Sequence, residues 1–345
     1  MLTQVVLSDS ISRPLFKSFF GHQDTDIFMN SPDGLNQLIQ SIPSDESRIA
    51  WVGAPWDFDW MAQPVEEQGL SSRVIKPQLP FEIFSALDLN EAIGNPRDLL
   101  YGTIYNDFWH RPWYAFPLIT AVAQAERLGL RAITVVEMGV WLGEGLLNLA
   151  SLCQLISTTV GIEIRVVGFD TGTGLPSVAD YRDHPELWYT GELASPDLES
   201  LKARLPENTK LVIGDIRDTI DKFTEQLTSE APLAFMALDV DTYSSSVDCL
   251  KVFRNANPTC LLPATPVYVD DSYINIMQNE YCGEALAIHE FNESELSRKI
   301  LKKIVRTNRP QMPWHHAIHF CHVFDHPARK SHSGINFIGL NVHAL

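Results

Sequence analysis

Four aspartates in two short runs, Asp239-Val240-Asp241 and Asp270-Asp271, are the residues of this chain best suited to chemistry. Each run closes an apolar stretch, Leu233 to Leu238 in one case and Thr265 to Val269 in the other. In extended chain Asp239 and Asp241 point to one side, with Leu238 and Val240 on the opposite one. If the two stretches are neighbouring strands, the four carboxylates converge. Bare, they repel and raise one another's proton affinity. A divalent cation with oxygen ligands relieves that repulsion, and carboxylates with water favour Mg2+ or a similar hard ion. The competing use of any single aspartate here is to cap the helix that follows.

A second constellation is Glu137-Met138-Gly139-Val140-Trp141-Leu142-Gly143-Glu144-Gly145, which follows the apolar run Ala132 to Val136 and precedes a helical run from Leu146. A glycine turn between strand and helix lets backbone approach a ligand and aims helix N–H groups at it. The spacing Gly-x-x-x-Gly-x-Gly is not the Gly-x-Gly-x-x-Gly of dinucleotide enzymes. It resembles the first motif of S-adenosylmethionine (SAM) methyltransferases, where an acid precedes Gly-x-x-x-Gly. Two further acids close apolar runs: Asp170 after Arg165 to Phe169, placed to accept from ribose hydroxyls, and Asp215 after Lys210 to Gly214, near an adenine amino group. Glu137, Gly139, Gly143, Asp170 and Asp215 are therefore the candidate SAM-binding residues.

The elements that must position these groups alternate. Strands are expected at 132–138, 162–170, 209–215, 233–241 and 265–271, with helices starting near Glu144, Leu198, Asp218 and Ser244. A helix from Pro117 to Leu128 is ended by Gly129, and a further helical region covers roughly 277 to 305. His316 to Phe324 and Ile335 to Val342 alternate apolar and polar residues and form a closing hairpin. The fold expected is α/β: a Rossmann-like, seven-stranded sheet of five parallel strands plus an antiparallel hairpin, with helices on both faces. In such a sheet ligands sit outside the carboxyl ends of the strands. Residues 96–345 make up this domain. Residues 1–95 form an N-terminal cap or interaction segment of unknown role, with one convincing strand at 48–54. Trp51, Trp56 and Trp60 there either line a pocket or pack a small core. The cluster Tyr101, Tyr105, Phe108, Trp109, His110, Arg111, Trp113 and Tyr114 is either a lid or an aromatic seam.

Composition narrows the function. A net charge of −17 over 345 residues disfavours nucleic acid as a partner. The basic run Arg298-Lys299, Lys302-Lys303 and Arg306 has helical spacing and reads as a solvated helix face. Five scattered cysteines without a Cys-x-x-Cys pair suit a reducing compartment. The first residues have neither a charged n-region nor a long apolar segment, so a cytoplasmic protein without a membrane span is expected. The seven histidines from His315 to His343 tempt a zinc reading, but their spacing fits no single ligand set, and a polar strand and turn facing solvent or substrate is the expectation.

Several boxes resemble the macrocin O-methyltransferase family across residues from about 99 to 291. They are Phe169-Asp170-Thr171-Gly172-Thr173-Gly174-Leu175-Pro176, Gly214-Asp215-Ile216-Arg217-Asp218-Thr219, Leu238-Asp239-Val240-Asp241-Thr242-Tyr243 and Val269-Asp270-Asp271. The resemblance implies a SAM- and Mg2+-dependent enzyme methylating a hydroxyl of a small molecule, on the sugars of natural products. It implies that Asp239, Asp270 and Asp271 hold the metal and that Asp241 is the general base. Ser272 stands where the family has an aromatic, with Tyr273 next to it, and residues 1–95 have no counterpart in it. The partner expected is a small-molecule hydroxyl acceptor, and homo-oligomerisation stays open. Two rivals remain: a nicotinamide-dependent oxidoreductase, which the glycine spacing disfavours, and a non-catalytic SAM-fold protein recruiting a partner through its N-terminal segment, which has no need of four clustered acids.

Overall fold

The computed structural model describes residues 2–7, 48–52, 74–75, 97, 100, 104, 111–195, 198–271, 279–302 and 313–330. The chain divides into two compact units, Met1–Pro112 and Trp113–Leu345. In the first, β1 (Leu2–Leu7), β2 (Arg48–Val52) and β3 (Val74–Ile75) form a parallel sheet in that order. The expected strand near residue 48 is present. Trp56 and Trp60 lie outside the described residues, as do Tyr101, Tyr105, Phe108, Trp109 and His110.

The second unit is built on a seven-stranded sheet, in the order β6-β5-β4-β7-β8-β10-β9. Its strands are β4 (Ala132–Met138), β5 (Glu163–Asp170), β6 (Thr209–Ile213), β7 (Leu233–Leu238), β8 (Ala264–Val269), β9 (Arg298–Lys302) and β10 (Ile318–Val323). Every residue of β4, β7 and β8 is buried, the pattern of strands covered on both faces. β4 to β8 pair in parallel, and β10 runs antiparallel to both β8 and β9. This is the Rossmann-like methyltransferase sheet expected from the sequence, in which one reversed strand is inserted next to the edge.

Two expectations need correction. The region 277–305 is not one helix: it holds a helix over Gly283–Ser294 and then strand β9. β9 is therefore the hairpin partner of β10, the role assigned above to Ile335–Val342, which lies outside the described residues. The spacing of the basic run suggested a helix, yet Arg298 is buried and Ile300 packs in the sheet core opposite Cys321. The Arg298 guanidinium donates to the carbonyls of Phe253, Arg254 and Ala256, and the Lys299 ammonium to those of Asn292 and Glu295. Consecutive residues of one strand thus cap the C-termini of two helices, where the backbone dipole favours cations.

The helices are α1 (Pro112–Arg127), α2 (Glu144–Val160), α3 (Leu198–Arg204), α4 (Ile216–Gln226), α5 (Tyr243–Asn255) and α6 (Gly283–Ser294). α1 begins five residues before the expected start and carries Pro117 inside it. Ile220 and Phe223 of α4, Phe253 of α5 and Phe291 of α6 share one core with Val136, Met138, Met236 and Val267. On the other face Tyr114 of α1 meets Phe235 and Tyr268 edge-on, at ring-centroid distances of 6.0 and 5.4 Å. Tyr114 is fully buried there. Among the described residues no helix is long and apolar enough to cross a membrane.

Candidate active site

The candidate residues lie at the carboxyl ends of β4 and β5 and in the turns after β4, β6, β7 and β8. The glycine turn after β4 is built on Asp170. One oxygen of its carboxylate accepts from the backbone N–H of Val140 (3.0 Å) and Trp141 (2.9 Å), and the other from Gly172 (2.7 Å). These bonds hold Trp141 at φ 47°, a left-handed conformation rare for a bulky residue. Trp141 and Leu142 stand exposed at 48% and 46%, an apolar lip beside the start of α2. Gly139 has φ 84°, and a Cβ there would sit 1.7 Å from the carbonyl oxygen of Asp239, so the turns after β4 and β7 touch backbone to backbone. Gly143 is the N-cap of α2, with φ 86°, and no side chain caps the helix there. A Cβ on it would meet Leu201, which gives this glycine a structural reason besides any ligand.

Glu137 is 2% exposed and accepts a 2.7 Å hydrogen bond from the Tyr114 hydroxyl. Its carboxylate also fills the place that a Cβ at Gly145 would need. Asp215 caps α4, accepting from the N–H of Arg217 at 2.9 Å. Glu137, Asp170 and Asp215 all have structural partners, and Gly139 and Gly143 are dictated by local geometry. All five line the carboxyl end of the sheet, as their place in the sequence requires.

The four aspartates lie just past β7 and β8 rather than within them, since those strands end at Leu238 and Val269. Asp239 N–H still donates to the Met138 carbonyl, and Asp270 N–H to that of Leu238, both at 3.0 Å. Asp241 has φ 61°, and Thr242 N–H closes onto the Val240 carbonyl at 2.6 Å. That is a γ-turn with an aspartate at its strained centre. The extended-chain argument that put Asp239 and Asp241 on one face is therefore corrected, because Asp241 is delivered by a turn. Thr242 then caps α5, its hydroxyl oxygen accepting from Ser245 N–H.

The expected convergence of the four acids nonetheless occurs. Burial, then the charges of Asp270 and Asp241, hold the Asp239 carboxyl well above the ordinary range. Asp241 is pushed up to about 8, first by burial and then by the charges of Asp271 and Asp270, with Asp271 next to it. The Tyr268 hydroxyl donates to Asp270. Among the described residues no three acids, histidines or cysteines are arranged to hold a metal ion. The chemistry of the donors nevertheless fits a hard dication: all are carboxylates, in a place where burial and mutual repulsion favour any added positive charge.

Three residues that the sequence did not single out complete the site. Glu284, at the start of α6, accepts from Val240 N–H at 3.1 Å and from Asp271 N–H at 3.0 Å. Asp183, in a 3-10 turn of the long segment after β5, accepts from the N–H and hydroxyl of Ser244 at 2.8 and 2.6 Å. Next to it His184, buried at φ 54°, leaves so little room at Gly283 that a Cβ there would lie 3.1 Å from its ring. Arg182 stacks over Tyr243 at 4.7 Å, and Tyr243 donates to Glu290 at 2.6 Å. The segment after β5 is thus fastened beside the acidic turns. Its partners come from helices 60 to 100 residues away, which no local pattern announces.

The histidines are not a solvent-facing set. His315, His319 and His326 are buried, and burial brings His319 down to about 4. His319 contacts the Ala317 carbonyl, His322 contacts Arg329, and His326 caps a short turn at Ala328. His332 and His343 lie outside the described residues, as do Ser272 and Tyr273.

No family model and no curated protein matches this chain. Solved structures do. The calicheamicin methyltransferase CalS11 is 19% identical, over 70% of this chain and 90% of that one, with a TM-score of 0.42. The O-methyltransferase from Bacillus cereus in complex with SAH is 12% identical, over 70% and 86%, at 0.31. TomG from Streptomyces achromogenes, an O-methyltransferase in complex with SAM, is 12% identical, over 60% and 78%, at 0.33.

Proposed function

We propose that this chain is a SAM-dependent, divalent-metal-dependent O-methyltransferase acting on a hydroxyl of a small molecule, a sugar or other natural-product moiety. The observation that carries the reading is the meeting of two turns: the glycine turn after β4 touches the acidic turn after β7 through Gly139 and the Asp239 carbonyl. Glu137, Gly139, Gly143, Asp170 and Asp215 would hold SAM, with the uncapped N–H groups of α2 facing a polar group of the ligand. Asp239, Asp270 and Asp271 would hold the metal. When bound, SAM supplies a methyl group activated by its sulfonium, and the metal supplies a charge that lowers the pKa of the acceptor hydroxyl.

The rest belongs to the chain. Asp241 takes the acceptor proton, and its raised proton affinity suits a base working near neutral pH. Attack is an in-line displacement, so rate depends on how closely oxygen and methyl carbon are held. Asp183 and His184 fix the wall beside the acids, and Glu192 adds its charge to Asp241. So much negative charge favours a neutral acceptor over an anionic one such as nucleic acid.

The test is mass spectrometry of the purified protein incubated with SAM, Mg2+ and a panel of neutral glycosides. The expected result is a product heavier by one methylene and formation of SAH, both abolished by EDTA. Calorimetry showing no SAM binding would sink the reading.

A further inference from the structure

We propose that Glu284 is a positioning residue that holds the two acidic turns in register with each other. The inference rests on the proposed function for its consequence, but on the structure alone for its geometry. Glu284 lies in the first turn of α6 and is 1% exposed. Its two oxygens divide their work, one accepting from Val240 N–H at 3.1 Å and the other from Asp271 N–H at 3.0 Å. Val240 lies between Asp239 and Asp241, and Asp271 follows Asp270. One side chain from a third element therefore pins both turns by their backbones.

The choice of residue is informative. Burial and the charges of Asp271, Asp239 and Asp270 all act against a carboxylate here. A stable fold alone would favour a neutral group at this place. What a neutral group cannot do is accept at two points a side-chain width apart. Glutamine offers one acceptor oxygen, and its amide presents donors to the second N–H. Aspartate is shorter by a methylene and reaches one turn. Glutamate at the start of a helix meets both needs, with the helix dipole offsetting part of the repulsion. Gly283 at φ 60°, with His184 packed against it, sets the angle at which α6 enters. Glu284 thereby fixes the separation of Asp239 and Asp241 from Asp270 and Asp271, as outer groups do around metal-binding carboxylates.

The experiment compares the full-length protein with Glu284→Gln and Glu284→Asp by amide hydrogen exchange, Mn2+ titration and SAM calorimetry. Glu284→Gln is expected to speed exchange at Val240 or Asp271 by about tenfold or more. It should raise the Mn2+ concentration for half-saturation roughly 10- to 100-fold and leave SAM affinity unchanged. Glu284→Asp, which keeps the charge, should fail to restore either quantity. If Glu284→Gln does not fold, Glu284→Asp carries the same measurements. Wild-type exchange rates and Mn2+ affinity in the variants would overturn the proposal, as would full recovery by Asp, which would make charge rather than span the requirement. A wild type that ignores Mn2+ sinks the proposed function instead, and the exchange rates still decide the role of Glu284.

Discussion

The turns after β4 and β7 lie in contact and are both strained, yet they are stabilised in opposite ways. At the glycine turn a non-glycine residue, Trp141, is held left-handed by a carboxylate whose oxygens accept three backbone N–H bonds. Opposite charges and dipoles meet there. At the acidic turn Asp241 is also left-handed, but its neighbours are other carboxylates, which raise its proton affinity. One turn is a finished cradle and the other a site of unrelieved repulsion. Under the proposed function the two turns divide the work: a preorganised turn keeps binding costs low, whereas crowded acids favour a cation or a proton.

Breaking the contact between the turns should have the largest effect. Gly139→Ala puts a methyl group onto the Asp239 carbonyl and requires a left-handed alanine. Loss of more than about 4 kcal/mol of stability is expected, in the range of severe core clashes, read as a collapse of the urea midpoint. Next comes Asp241→Asn, which separates the acidic turn's chemistry from its stability. Turnover should drop by roughly 10²–10⁴-fold, the range for a positioned base. At pH 8.5 the metal-free protein should melt about 2–4 °C higher, because one repelling charge is gone. A variant that is slower but less stable would mean that Asp241 is a satisfied structural group. Smallest is Asp170→Asn. An amide can serve Val140 and Trp141 with its oxygen but turns a donor towards Gly172, at a cost of about 1–3 kcal/mol. SAM affinity should weaken around tenfold, measured by calorimetry, while Mg2+ binding stays as it was.

The sequence made the first turn legible and the second only in part. The strands were visible because buried parallel strands are continuous apolar runs, and the glycines because a left-handed turn selects them. Asp239, Asp241, Asp270 and Asp271 could be brought together once β7 and β8 were neighbours. The manner of their meeting could not, because a γ-turn at Asp241 leaves no mark in residue type. Glu284 and Asp183 were invisible for another reason: each works by bonding to backbone far away in the chain. Arg298 and Lys299 misled outright. Their spacing matched a helix face, whereas what recruits them is the carbonyl ends of α5 and α6.

The most direct test of the contrast is the melting temperature of the protein between pH 7 and 8.5, with EDTA and with Mg2+. The folded-state pKa of Asp241 is raised from 3.8 to about 8, and Asp239 is raised well above its ordinary value. For such groups the stability present at low pH is lost as pH rises through the folded pKa. His316, His319 and His326, held below 6.5 by burial, add no slope in this window. In EDTA the melting temperature should fall as pH rises, Mg2+ should restore it more at pH 8.5 than at pH 7, and Asp241→Asn should flatten the fall. A melting temperature that is level across the window and indifferent to Mg2+ would contradict the account.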